Sequence, residues 1–280
     1  MQESGMTGNG RVYENNETPQ QAELASKYLG LLRAHLVAIE ERWESPPRPE
    51  AGSALMAVDR LNPYETLSQL IHHSIVVSID NVRTTLTYIE KTNEIPMTAL
   101  YSMIRAAVEA SSYGLWLSHG GTKNKLAWRG IRLSYRNNGD SASLERSWTR
   151  TQGQPFPESD PVQERLISCQ QALPNYRSHR IDKLPSMTEV VMEADRTVQS
   201  RLHFTGVQVW KACSGMAHGN FAVFREILEW TKVSENEGVV QVKFSSRVWM
   251  IASFLQVAIE NLEELVPHYE QMCTGRRGSA

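Results

Sequence analysis

Cysteine is scarce in this chain: Cys169, Cys213 and Cys273 are the full set, and they lie far apart. An odd, sparse set reads as free thiols in a reducing compartment and excludes a disulfide framework. No run of 18 apolar residues occurs, so no membrane span is expected. The first 17 residues are polar and hold no apolar stretch of the signal-peptide kind, which makes a cytoplasmic location the expectation. Neither sign of charge dominates. With 29 basic and 31 acidic residues the net charge is −2, so no global attraction to nucleic acid or membrane is expected. The common catalytic signatures are missing too: no GxxxxGK(S/T), GxGxxG, HExxH, CxxC or GxSxG occurs. The Glu-x-x-His pairs of di-iron bundles are also missing. The eight histidines are scattered, and the adjacent pair His72 and His73 would diverge by about 100° on a helix. Neither a histidine metal site nor a cofactor is expected.

What the sequence does hold is helical periodicity. At 280 residues it can bury a large core without metal or disulfide. Thr18 followed by Pro19 is a hydroxyl cap and a proline at the first helical position, and apolar residues then recur at helical spacing to Trp43. The run Ser45 to Pro49 is a proline-rich connector. Asn62-Pro63 predicts the start of a long helix, Pro96 another to about Ser118, and residues 122–137 a further helix ended by Asn137-Asn138-Gly139. Asp160-Pro161, the stretch Ser186 to Leu202 and the stretch Phe204 to His218 predict three more, the last stopped by Gly219. Ile227 to Val233 and Val239 to Phe244 flank a turn and read as a β-hairpin. A last helix spans about Ser246 to Met272. The expected fold is all-α: an antiparallel helical bundle with one small β-hairpin, a single domain over residues 18–273, and tails at 1–17 and 274–280.

Three groups of residues could carry chemistry. The 96–118 helix is apolar nearly all round, which suggests a central helix; its polar members Arg105 and Glu109 are four apart, and Trp116 lies on their stripe. Glu109 needs a partner in such a setting. The next helix carries Lys125, Arg129, Arg132 and Arg136 at spacings of 4, 3 and 4. Residues 122–150 hold seven basic side chains against two acidic ones, with Trp128, Tyr135 and Trp148 interleaved. Guanidinium groups beside indoles suit phosphate or single-stranded nucleic acid, although such a stripe also serves as a plain solvated face. A Gly120-Gly121 turn joins the two helices, so they should pack antiparallel and bring Arg129 or Arg132 near Glu109 or Trp116. The third group is Ser214 and His218, four apart, with Lys211 on the same stripe. Serine beside histidine can be nucleophile and base, but a histidine in the last turn of a helix is equally favoured by the helix dipole.

Two of these stretches carry a resemblance. Arg105-Ala106-Ala107-Val108-Glu109, with Trp116-Leu117 and Arg129 and Arg132 downstream, and Trp210 through Ser214 to His218-Gly219, resemble an uncharacterised family of bacterial α-helical proteins over roughly residues 65–273. A weaker likeness is to the HEPN superfamily of helical ribonuclease toxins and defence proteins, on Lys211, six residues and then His218. That likeness implies His218 as the catalytic residue and Lys211 as a phosphate contact, with lysine standing where the family has arginine.

The functional expectation is a ligand- or RNA-binding helical module whose site is built from Glu109, Trp116, Arg129, Arg132 and Ser214, with His218 at its rim. The alternatives are a HEPN-like ribonuclease using Lys211 and His218, and an interaction scaffold without a chemical site. The expected partners are RNA or an anionic small molecule, with no membrane, and a homodimer is left open.

Overall fold

Hydroxyl caps set most of the helix starts. The computed structural model describes residues 16–151, 160–199, 201–237 and 239–274. Among these it holds ten helices and one antiparallel hairpin: α1 (Pro19–Trp43), α2 (Ala54–Asp59), α3 (Leu67–Thr92), α4 (Ala99–Ser118), α5 (Lys123–Thr151), α6 (Pro161–Gln171), α7 (Met187–Asp195), α8 (Gly206–Ala217), α9 (Phe221–Ile227), β1 (Glu229–Asn236), β2 (Val239–Ser245) and α10 (Val248–Cys273). The all-α class with one small hairpin is what the sequence predicts. Capping boxes open α1 (Thr18 with Gln21), α3 (Thr66 with Gln69), α7 (Ser186 with Glu189) and α8 (Thr205 with Gln208). Each satisfies two backbone donors that would otherwise lack partners.

Two helices form the centre. α4 touches α3, α5, α7, α8 and α10, and α10 touches α1, α2, α3, α4 and α8. Their composition explains the placement: Leu100, Ile104, Ala107, Ser111 and Leu115 of α4 are buried, as are Ile251, Leu255, Leu262 and Leu265 of α10. A helix apolar on most sides loses the least by being surrounded. Gly114 lets α10 approach, since a Cβ there would lie 2.4 Å from Leu265 Cδ2. The three cysteines are free, with Cys213 and Cys273 buried.

Several boundaries differ from the sequence expectation, each for a tertiary reason. The helix expected at Asn62-Pro63 begins at Leu67, because Asn62 donates to Glu65 O at 2.7 Å in a preceding turn and Thr66 supplies the cap. The helix expected from Pro96 begins at Ala99. α2, capped by Ser53, occupies residues between the Ser45–Pro49 connector and Asn62 for which the sequence predicts no element. α5 does not stop at Asn137-Asn138-Gly139 but continues to Thr151. α6 packs against it there: Asn138 donates to Asp160, the N-cap of α6, and Gly139 faces the Gln163 side chain. Contact with α6 outweighs the low helix propensity of the triplet. α7 ends at Asp195 rather than Leu202, because that carboxylate turns to accept from Gly206 and Val207 N–H at the start of α8. Residues 221–227 form α9, so β1 starts at Glu229 rather than Ile227, and a bulge lies between Lys232 and Ser234. Glu17, assigned by sequence to the N-terminal tail, instead accepts from Val248 and Trp249 N–H at 2.9 and 2.7 Å, where the positive end of α10 favours a carboxylate. The rest of the expected N-terminal tail, at 1–15, and of the C-terminal one, at 275–280, lies outside the described residues.

The α8–α9 corner yields a first prediction. Gly219 (φ 68°) follows α8 in the left-handed region, and Asn220 N–H reaches back to Gly215 O at 2.9 Å. Gly215 itself is pressed against α9, so that an added Cβ would lie 2.6 Å from Val223 Cγ2 and 3.0 Å from its Cβ. Gly215→Ala is expected to cost about 1–2 kcal/mol in urea unfolding, overpacking outweighing the gain in helix propensity. A variant as stable as the parent would show that α9 gives way freely.

Candidate functional site: a cleft between α5 and the segment leading into α7

The α4–α5 turn is short, so α5 returns along α4 and sets its first turns beside the end of α4. Among the described residues Arg129, 4% exposed, is the one arginine or lysine that is buried. Its guanidinium donates to Trp116 O, at the negative end of α4, and to the Glu193 carboxylate on α7. Its Cζ lies 4.8 Å from the Trp116 ring centroid. One turn further along α5, the Arg132 guanidinium sits between two indoles, 5.9 Å from the Trp116 centroid and 5.0 Å from that of Trp128. It donates to Lys183 O at 2.9 Å. Tyr176 also stacks on Trp128, at 5.3 Å and 19°. Between these groups lies a cleft of about 400 Å³, whose far wall carries Lys183, Glu189 and Glu193.

The two arginines differ in how their charge is balanced. Burial lowers the Arg129 pKa from the usual guanidinium value, and Glu193 partly restores it. Burial also lowers that of Arg132, and the neighbouring Arg129 lowers it further, while Tyr176 and Glu193 partly restore it. Among the described residues no carboxylate lies within ion-pair distance of Arg132. Its Nε is buried without a hydrogen-bond partner. An unpaired buried donor costs about 1–3 kcal/mol, more on a charged group. The cleft therefore holds a cation whose charge and donors are only partly answered from within the chain.

Of the residues singled out from sequence, Trp116, Arg129 and Arg132 come together here. Glu109 does not line the cleft. It accepts from Trp210 Nε1 at 2.6 Å and from Arg105 Nε at 3.0 Å, and so ties α8 to α4. Ser214 is half-buried on α8, while Lys211 and His218 are exposed there, and no side-chain hydrogen bond or ion pair joins the three. The expected convergence of Glu109 and His218 with Arg132 on one cavity is thus not what the fold makes: α8 packs on α4 away from the cleft. Arg136, last of the basic stripe, turns outward to Asp140 (3.7 Å) and the Tyr113 hydroxyl (3.3 Å).

The far wall is what the sequence reading missed. Tyr176 and Lys183 lie in an aperiodic stretch that gives no pattern. Glu189 and Glu193 are four apart on a short helix, a spacing that puts both on one face and was a legible signal. Among the described residues no cluster of three or more His, Cys, Asp or Glu could hold a metal, and no helix is long and apolar enough to cross a membrane. No family model, curated protein or solved structure matches this chain.

Proposed function

We propose that this chain is a binding module for a small anionic ligand, received in the cleft at Arg132. The observation that carries the reading is the half-buried Arg132 guanidinium, facing a cavity with no carboxylate paired to it. A phosphate or carboxylate oxygen supplies what the guanidinium lacks: a negative charge and acceptors for charge-assisted hydrogen bonds. Lys125 and Lys183 at the rim add attraction at a distance. A small ligand suits the site better than single-stranded RNA. Bases bind by stacking on open aromatic faces, whereas Trp116 and Trp128 are 2% and 4% exposed and already covered by guanidinium and tyrosine.

The test is isothermal titration with inorganic pyrophosphate, and separately with a short single-stranded RNA, at low and at physiological salt. Pyrophosphate should bind and weaken as salt rises, since ions screen the rim charges. Arg132→Met should weaken it about tenfold or more, the worth of one hydrogen bond to a charged group, with helical circular dichroism unchanged. No binding at low salt, or binding indifferent to Arg132→Met, would overturn the proposal. RNA binding that survives Arg132→Met would move the interaction to the outer face of α5.

A further inference from the structure

The α5 wall of the cleft is basic and the α7 wall acidic, with Lys183 ahead of α7 on the acidic side. On α5, Arg129 and Arg132 stand one turn apart; on α7, Glu193 and Glu189 stand one turn apart, about 6 Å in each case. Arg129 meets Glu193 near the C-terminal end of α7. Arg132 meets Lys183 O, which precedes the N-terminal end of α7. Passing from Arg129 to Arg132 along α5 therefore runs backwards along α7, from Glu193 towards Glu189. The walls form two rungs. The Arg129–Glu193 ion pair closes the inner rung. The outer rung has Arg132 on one side and Glu189 on the other, and among the described residues no ion pair joins them.

Glu189 retains acceptor capacity for a ligand. Its Oε2 takes Ser186 N–H at 2.7 Å and Ser186 Oγ at 2.9 Å in the capping box. Its Oε1 makes no hydrogen bond among the described residues. Both Arg132 and Glu189 line the same cleft.

We propose that the ligand is a small zwitterion, with its anionic group on Arg132 and its ammonium group on Glu189, completing the outer rung as the Arg129–Glu193 pair completes the inner one. This rests on the anion-binding reading above and adds the second charge. A purely anionic ligand placed at Arg132 would have the Glu189 carboxylate opposite it, which disfavours it; an ammonium group a few ångströms from the anion turns that repulsion into attraction. The chemical class is an amino acid or an amino-alkyl phosphate, and the two share the recognition chemistry.

Two matched pairs of probes separate the charges: phosphoethanolamine against inorganic phosphate, and 4-aminobutyrate against butyrate. In each pair the ammonium-bearing compound should bind at least about tenfold more tightly at the same salt. Glu189→Gln should erase that difference while leaving phosphate affinity unchanged or raised; glutamine at this position still closes the capping box, so α7 keeps its start. Arg132→Met should weaken all four probes. Phosphate binding that depends on Arg132 but gains nothing from the ammonium group would overturn the zwitterion inference and leave the anion site standing. No binding of any probe would overturn the anion site itself. An ammonium preference that persists in Glu189→Gln would also sink the inference, by assigning the cation to another wall.

Discussion

Replacing Arg201 by alanine is expected to lower the unfolding free energy by about 3–5 kcal/mol, the usual cost of removing one member of a buried ion-pair network. Arg201 lies between α7 and α8 and is only 10% exposed. It donates to Asp195 at 2.8 Å, Glu260 at 3.1 Å, Asn261 Oδ1 at 2.6 Å and Val257 O at 3.2 Å. Asn261, fully buried on α10, in turn donates to Ser111 Oγ on α4 at 2.9 Å. One guanidinium thus joins the α7–α8 corner to both central helices. Without it, Asp195 and Glu260, 16% and 12% exposed, remain as uncompensated charges close together. Urea unfolding is the measurement. Glu260→Gln in the Arg201→Ala background should recover part of the loss, because it removes one of the two stranded carboxylates. A single-variant cost under about 1 kcal/mol, the level of exposed ion pairs, would show that water reaches the network freely.

Acidification is expected to destabilise the parent protein more than a His119→Gln variant, by up to about 3 kcal/mol between pH 7 and pH 4. His119 caps α4, and its ring stacks on His268 of α10 with centroids 3.9 Å apart. Its Nδ1 lies 3.0 Å from Ser118 Oγ and 3.1 Å from Leu115 O. Burial first, and then the proximity of His268, push its pKa down to about 4; Arg129 on α5 adds to the fall. Glu264 of α10 stands 3.8 Å from Nε2, but it is 35% exposed and too well solvated to reverse the shift. The sign follows from linkage. The unfolded chain protonates this imidazole near pH 6.5, while the folded one resists until about pH 4, so stability is intact above pH 6.5 and is lost as pH falls through that window. Carboxylates titrate over part of the same range, which is why the difference between parent and variant is the quantity to measure. Parallel pH profiles for the two proteins would show that the ring is solvated or already charged in the fold.

Much of the architecture is written in local sequence. The Thr18-Pro19 start, the apolar surround of α4, and the glycine that ends α8 each follow from spacing and backbone chemistry within one or two turns, and each stands in the structure. The continuation of α5 through Asn137-Asn138-Gly139 is the opposite case. Those residues favour a stop, and only the packing of α6, closed by Asn138 on Asp160, carries the helix across them. The cleft divides in the same way. Trp116, Arg129 and Arg132 were readable because a short Gly-Gly turn forces α5 back along α4, which fixes their meeting without reference to the rest of the chain. Glu109 needed a partner, and the sequence offered Arg105 beside it; the second partner, Trp210, comes from 101 residues away. The wall of Tyr176, Lys183, Glu189 and Glu193 is brought to α5 only by the docking of the segment ahead of α7. Periodicity reports which face of a helix is apolar, so it placed α4 at the centre. It carries no information on which distant loop will cover a cation, because that depends on how surfaces far apart in the chain fit when the core closes.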